Sequence, residues 1–193
     1  AYDATLRVPL IVAEVRPGQA AAPRGRVVDA PARHIDLVPT IVELTGAGAD
    51  AALPGASLVP LVNGAGASPR PSYFEAMTPY LSRGWAPLRG VLVDRDKYID
   101  LPIPERYDLT ADPRETRNLS SATDERSRVL FSTLRTFNVD PPGQPGEESG
   151  AVLERLRALG YVGGSPAPRR DRYTEDDDPK RLIDLDRMLH DAG

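Results

Sequence analysis

The order of apolar and polar positions predicts a strand followed by a helix in the first quarter of the chain. Residues 8–12 (VPLIV) form a short apolar run, which is typical of a buried strand. Residues 34–45 (HIDLVPTIVELT) carry apolar side chains at helical spacing. The predicted inner face of this helix consists of Leu37, Ile41 and Leu44. Asp36 is its predicted N-cap, because a carboxylate there can accept hydrogen bonds from the first free backbone N–H groups.

β-prone segments predict a small antiparallel sheet in the middle of the chain. Residues 72–76 (SYFEA) form the first predicted strand. Residues 88–93 and 97–101 are two β-prone runs, and the three residues 94–96 that separate them are typical of a hairpin turn. Residues 107–109 (YDL) add a short extended segment.

The last third of the chain is predicted to contain helices and a linker. Residues 123–137 and the segment from Asp178 onward have apolar side chains at helical spacing. The two predicted inner faces are Leu130, Leu134 and Phe137 in the first helix, and Leu182, Leu185 and Leu189 in the second. Residues 140–150 (DPPGQPGEESG) are a linker by composition, and residues 151–159 are a short predicted helix. Residues 169–181 balance basic and acidic side chains, which indicates a solvated tail.

Composition excludes several classes of function. The 193 residues have a net charge of -4, so no strong positive field would attract nucleic acid. No apolar run is long enough to span a bilayer. The sequence has no cysteine and two histidines, which excludes disulfides, a cysteine nucleophile, cysteine metal sites and a histidine-rich metal cluster.

Three blocks of sequence, in this order, point to a known family. The first is residues 2–12 (YDATLRVPLIV), and the second is residues 28–31 (VDAP) followed by 34–44 (HIDLVPTIVEL). The third is a spaced pattern made of Arg89-Gly90-Val91, Lys97-Tyr98-Ile99, Tyr107-Asp108-Leu109, Asp112-Pro113, Glu115-Thr116 and Asn118-Leu119. Together these blocks resemble the later part of the sulfatase family of the alkaline phosphatase superfamily.

The resemblance implies an α/β fold. The chain would supply the last strand and helix of a doubly wound, alkaline-phosphatase-like domain, then a small antiparallel α+β subdomain, then helices. The predicted boundaries are 1–48 for the end of the α/β core, 49–138 for the C-terminal subdomain, 139–177 for a linker with a short helix, and 178–193 for the start of a helical region. Residues 156–164 (LRALGYVGG) resemble a junction found before tetratricopeptide helices in bacterial members.

The resemblance also implies where the chemistry lies. Sulfatases form a formylglycine nucleophile from Cys or Ser in a C/S-x-P-x-R motif, and a bound calcium ion polarises the sulfate. Ser68 does not fit this motif, because the positions two and four residues later hold Arg70 and Ser72. The family's nucleophile and metal ligands would precede Tyr2. We therefore expect no catalytic residue and no metal ligand in this chain, and no activity from it alone. The parent protein would act on a sulfated small molecule or glycan.

Four residues are candidates for contact with a substrate. Tyr80, Arg83 and Trp85 lie in a predicted loop (TPYLSRGWAP) where a cation and aromatic rings could hold an anionic or sugar-like group. Packing of Trp85 on the subdomain, with Arg83 at its rim, is the simpler structural interpretation. His34 could line a pocket or carry a proton, although a residue that opens a helix usually serves the backbone.

Two other functions remain open at this point. The first is a phosphodiesterase or phosphonate hydrolase of the same superfamily, which the upstream nucleophile would distinguish from a sulfatase. The second is a non-catalytic module whose C-terminal helices bind protein partners through helical repeats.

Overall fold

The computed structural model describes residues 1–13, 18, 25–48, 53–66, 70–121, 123–137 and 170–191. The predicted linker and the predicted helix at residues 151–159 lie outside the described residues. The chain divides into two compact units. We call Ala1–Leu6 with Pro71–Gly193 the sheet unit, and Arg7–Arg70 the helical unit. None of the described helices is long and apolar enough to cross a membrane.

Both units combine short helices with irregular segments, and one contains a sheet. In chain order the elements are α1 (Asp3–Leu6), a 3₁₀ turn (His34–Asp36), α2 (Leu37–Thr45), α3 (Val59–Val62), β1 (Ser72–Ala76), α4 (Thr78–Arg83), β2 (Leu88–Val93), β3 (Asp96–Asp100), β4 (Glu105–Asp108), α5 (Glu125–Leu134), a second 3₁₀ turn (Glu175–Asp177) and α6 (Pro179–Asp191). The four strands form one antiparallel sheet in the order β1-β2-β3-β4. The α/β class is confirmed.

The sheet has an apolar core on each face, because successive side chains of a strand point to opposite sides. On one face, Leu88, Ile99 and Tyr107 belong to a buried cluster. On the other face, α5 covers Val91 and Tyr98 with the side chains of Leu130 and Leu134. The predicted hairpin of β2 and β3 is confirmed, and Asp94 in its turn has the positive φ of 55° that a tight connection requires.

Helix α5 begins where Asp124 caps it. The Asp124 carboxylate accepts hydrogen bonds from the backbone N–H groups of Arg126 and Ser127, each at 3.2 Å. The same carboxylate receives Arg106 Nε at 2.6 Å, which joins the start of the helix to β4. Burial alone would raise the pKa of Asp124, but the hydrogen bonds from Ser127 and Arg106 outweigh burial and lower it. The predicted inner face is confirmed, with Leu130 and Leu134 buried and Phe137 packed beside them.

Two predictions for the helical unit are wrong. Residues 8–12 form no strand, because no described segment pairs with them and a strand needs a neighbour to complete its hydrogen bonds. Two of the three residues of the predicted inner face of α2 are also exposed: Ile41 and Leu44 are 58% and 54% accessible, whereas Leu37 is half-buried. The side chains that α2 does bury are at its start and in its first turns, where Asp36 and Thr40 lie.

Asp36 does not cap α2 through its side chain, contrary to the prediction. Its carboxylate accepts hydrogen bonds from the Arg33 backbone N–H at 3.1 Å, the Arg33 guanidinium at 2.8 Å and the Ala56 N–H at 2.9 Å. Arg70 Nη1 lies 3.3 Å away. Burial would raise the pKa of Asp36, but these hydrogen bonds, that of Arg33 foremost, lower it. Asp36 therefore connects three segments of the helical unit.

The C-terminal segment belongs to the sheet unit, so the prediction of a solvated tail at residues 169–181 is wrong in part. The peptide N–H of Ala86 donates to the carbonyl oxygen of Asp177 at 2.9 Å, and the Asp178 side chain is fully buried. Asp178 also caps α6, since it accepts the Lys180 N–H at 3.0 Å. Leu185, predicted to face inward, is 47% accessible.

Gly90 in β2 is required by the ring of Phe74 in the neighbouring strand. A Cβ at position 90 would lie 2.2 Å from a ring carbon of Phe74 and 2.6 Å from the Tyr98 carbonyl oxygen. Neither neighbour is a flexible chain end, because the ring is packed against a core cluster and the carbonyl belongs to β3.

We expect Gly90→Ala to lower the free energy of unfolding by about 1–3 kcal/mol, the usual cost of overpacking a core. Thermal or urea unfolding of the chain measures this change. Gly66→Ala is the matched control, because a Cβ there meets nothing within 4 Å. Equal stability of both variants would show that the Phe74 ring can move aside.

Candidate functional site

A buried ion pair occupies the centre of the sheet unit. Lys97 in β3 is fully buried, and its Nζ lies 2.5 Å from Oε1 of Glu115. The aromatic rings of Tyr2 and Phe74 lie 5.7 Å and 5.3 Å from the same Nζ atom. Burial lowers the pKa of Lys97, and the hydrogen bond and charge of Glu115 partly offset this effect. The ammonium is thus enclosed by one carboxylate and two rings.

Glu115 joins this lysine to the N-terminal helix. Its second carboxylate oxygen accepts a hydrogen bond from the Asp3 backbone N–H in α1. Glu115 itself has a φ of 55°, a conformation that non-glycine residues adopt only where their surroundings enforce it. Tyr2 contributes a second connection, because its hydroxyl lies 3.4 Å from Oε1 of the buried Glu105. The ion pair therefore holds together β3, the loop after β4, and α1.

The loop around Glu115 is built by side chains that satisfy backbone groups. Asp112 accepts the N–H groups of Thr116 and Arg117, each at 2.8 Å, and the Arg117 hydrogen bond is the chief reason that the pKa of Asp112 is lowered. Asn118 accepts the Arg106 N–H at 3.0 Å and donates to the Pro104 carbonyl at 3.0 Å. These polar residues form the spaced pattern of the sequence, and each has a structural role.

Two of the three candidates from the predicted loop lie in a short helix, and the third lies in the loop that follows it. Tyr80 and Arg83 are in α4, a short helix that ends at Gly84 with a left-handed φ of 70°. Trp85 follows and is buried, with 9% accessibility. The guanidinium carbon of Arg83, an exposed residue, lies 6.0 Å from the centre of the Trp85 ring. This arrangement agrees with the packing interpretation for Trp85 and leaves Arg83 at its rim.

His34 lies in the helical unit, where it is exposed and begins the first 3₁₀ turn. Its neighbour Asp36 carries the hydrogen bonds that organise this region. Across the described part of the chain, no three His, Asp or Glu side chains converge on a point where a metal ion could bind. The described residues therefore give no ligand set for the metal that the resemblance implies.

A comparison with protein families decides the family of the chain. The family model described as "N-sulphoglucosamine sulphohydrolase, C-terminal" matches residues 1–136. The chain belongs to this sulfatase family. The match covers the helical unit and the sheet unit up to residue 136, and it includes the Lys97 and Glu115 pair. The spaced polar pattern is therefore part of a sulfatase C-terminal module, as the sequence indicated.

One curated sulfatase and two solved structures are similar to parts of this chain. A choline-sulfatase of Rhizobium meliloti (strain 1021) is 33% identical over 146 residues, which are 70% of this chain and 25% of that protein. The solved structure of BT4656 with its substrate D-glucosamine-2-N,6-O-disulfate is 24% identical, with 52% of this chain and 22% of that chain covered and a TM-score of 0.45. Phosphonate monoester hydrolase of Agrobacterium radiobacter is 23% identical, with 70% and 28% covered and a TM-score of 0.38. The chain spans about a quarter of these relatives.

Sequence reasoning missed two buried charged residues of the sheet unit. Lys97 was expected in a hairpin strand and Asp178 in a solvated tail, and both are fully buried. The local sequence gives little signal for Lys97, since Asp96 precedes it and Tyr98 follows it in β3. Its partner Glu115 lies 18 positions further on, outside any local pattern.

We expect Asn118→Ala to destabilise the module by about 1–2 kcal/mol, because an Arg106 N–H and a Pro104 carbonyl lose their partner. Chemical denaturation measures the difference. Arg114→Ala, an exposed residue in the same loop, should change the free energy of unfolding by less than about 0.5 kcal/mol. If Asn118→Ala is as stable as Arg114→Ala, the pattern is not structural.

Proposed function

We propose that the chain is the C-terminal part of a sulfuric ester hydrolase and supports its active site without supplying the nucleophile. The observation that carries this proposal is the family match over residues 1–136, together with the structural use of its polar pattern. The parent's formylglycine and divalent metal, which we propose to be calcium, would be held by residues outside this chain. A sulfated small molecule or glycan would be the substrate.

The exposed surface of the helical unit supports a role as part of a larger body. Large apolar side chains are exposed in residues 8–12, in residues 27–28, in the first 3₁₀ turn and in α2. They are Val8, Leu10, Ile11, Val12, Val27, Val28, Ile35, Val38, Ile41 and Leu44. Burial of one such side chain is worth about 1.5–3 kcal/mol. A soluble monomer seldom leaves so many of them together in water. We propose that the remainder of the sulfatase packs on this unit.

We propose that the boundaries predicted from the sequence separate parts of the chain with different roles. Residues 1–48 would complete the α/β core, residues 49–138 would form the C-terminal subdomain, and residues 139–177 would link it to a helical region at 178–193. We also propose that this helical region, α6 among the described elements, contacts protein partners. Sequence with a repeat period near 34 residues after this helix would support that role.

Within the sheet unit, we propose that Arg83 binds the anionic substrate. It is exposed, it lies beside the only tryptophan of the sequence, and its planar guanidinium can donate two parallel hydrogen bonds to a sulfate. Tyr80, in α4, and Trp85, which follows that helix, would support the Arg83 side chain. His34 is a separate candidate from the helical unit, with an exposed imidazole.

The full-length protein should hydrolyse aryl sulfate and choline sulfate, and removal of divalent metal by a chelator should abolish this activity. Release of sulfate measures it. The 193-residue chain alone, supplied with calcium, is the control and should release none. Turnover of an aryl phosphonate or a phosphodiester without sulfate release would contradict the sulfatase and favour the related phosphoryl chemistry.

In the full-length protein, Arg83→Ala should raise KM about tenfold or more and change kcat much less, since it removes binding that the ground and transition states share. Steady-state kinetics on an aryl sulfate measure both constants. Arg128→Ala, which removes an exposed guanidinium from α5, is the matched control. Unchanged kinetics in the Arg83 variant would remove it from the substrate site.

A further inference from the structure

The C-terminal segment makes specific contacts with the sheet unit although it lies outside the family match. That match ends at residue 136, whereas the contacts come from Tyr173, Asp177, Asp178 and Lys180. We call residues 173–180 the docking strap. Nothing in the family assignment gives this segment a role.

The strap binds both backbone groups of one residue. Asp178 Oδ2 accepts the Ile103 N–H at 2.9 Å, and Lys180 Nζ donates to the Ile103 carbonyl at 2.6 Å. Lys180 Nζ also lies 3.0 Å from Glu105 Oε1 and 3.3 Å from Asp178 Oδ1. Asp178 is fully buried and Glu105 is nearly so. Removal of one partner while the others stay buried would leave an uncompensated charge, so these groups must be buried together.

The strap is also organised internally. The Asp177 carboxylate accepts the Thr174 N–H at 2.9 Å and the Thr174 hydroxyl at 3.0 Å, which closes the second 3₁₀ turn. Arg170 forms an ion pair with the same carboxylate. The hydrogen bond from the Thr174 N–H is the chief reason that the pKa of Asp177 is lowered. The turn therefore presents its backbone carbonyls in a fixed direction.

One of these carbonyls meets the segment that carries Arg83 and Trp85. The Asp177 carbonyl accepts the Ala86 N–H at 2.9 Å, immediately after Trp85. At the other end of the segment, the rings of Tyr80 and Tyr173 meet edge to face, with centroids 6.2 Å apart. The strap thus contacts the segment on both sides of Arg83.

We propose that the docking strap positions residues 80–86 for substrate binding, so that Tyr173, Asp177 and Asp178 are positioning residues. This inference rests on the proposed function of Arg83. The strap would fix the short helix α4 and the buried Trp85, and through them the direction of the Arg83 guanidinium. Substrate selectivity would then depend on a segment outside the family module.

The first test uses the 193-residue chain and needs no substrate. In Asp178→Ala, the Ala86 amide should exchange with solvent at least about tenfold faster, since local opening frees its hydrogen bond. The emission of Trp85, the single tryptophan of the sequence, should shift to longer wavelength. Asp176→Ala is the matched control, because that carboxylate is 90% accessible and lies in the same turn. Unchanged Ala86 exchange in the Asp178 variant would overturn the proposal.

Hydrogen exchange of the Val91 and Ile99 amides in the sheet distinguishes release of the strap from unfolding of the unit. In Asp178→Ala these two amides should stay protected from exchange. If Asp178→Ala exposes them as well, Tyr173→Ala decides between these two explanations. It removes the ring contact with Tyr80 and the core, and one exposed hydrogen bond from the Arg170 N–H, but leaves Asp178 in place. Loss of protection in the sheet by both variants would show that the strap belongs to the core, which would overturn a positioning role.

The second test measures kinetics of the full-length protein on an aryl sulfate. Asp178→Ala should raise KM in the manner of Arg83→Ala, with a much smaller change in kcat, and the Asp176 variant should match the wild type. If Asp178→Ala has the KM of the wild type although its Ala86 amide exchanges faster, the positioning role is overturned and the sulfatase proposal stays intact. Absence of sulfatase activity in the wild type would instead sink the proposed function, while the strap's docking would still be judged by Ala86 exchange.

Discussion

The buried pair of Lys97 and Glu115 is the constraint on which the sheet unit depends. An ammonium without water around it is stable only when a carboxylate and other favourable groups surround it. Here Glu115 approaches to 2.5 Å, and the rings of Tyr2 and Phe74 complete the enclosure. Because these partners come from the residue before α1, from β1 and from the loop after β4, the pair fixes the arrangement of segments that are distant in sequence.

This constraint gives a structural reason for the spaced polar pattern of the sulfatase module. Asp112 and Asn118 shape the loop that presents Glu115, and Gly90 leaves room for the Phe74 ring beside Lys97. The helical unit differs, because the buried carboxylate of Asp36 orders a local region while many apolar side chains are exposed. The chain therefore combines a unit with its own two-sided core and a unit whose described residues leave much apolar surface exposed.

The sequence was informative where local pattern and final environment agree. The hairpin of β2 and β3 and the inner face of α5 were predictable, since turn residues and helical spacing act over a few residues. The strand at residues 8–12 was not, because apolar composition cannot show whether a partner strand is present. The burial of Lys97 and Asp178 depends on Glu115 and Ile103, which are 18 and 75 positions away.

The α4 helix was predicted as a loop, since Pro79 and Gly84 mark the two ends of a six-residue element. Of the candidate site, the grouping of Arg83 with Trp85 was predictable from their proximity in sequence, whereas the strap that contacts their segment was not.

A double-mutant cycle on Lys97→Met and Glu115→Gln tests the central claim most directly. Each single variant leaves a buried polar partner unmatched and should cost about 3–5 kcal/mol in the free energy of unfolding. The double variant should cost at least about 1 kcal/mol less than the sum of the two, because the second change removes a group that had already lost its partner. Strictly additive losses would show that the two side chains act independently and would contradict the account.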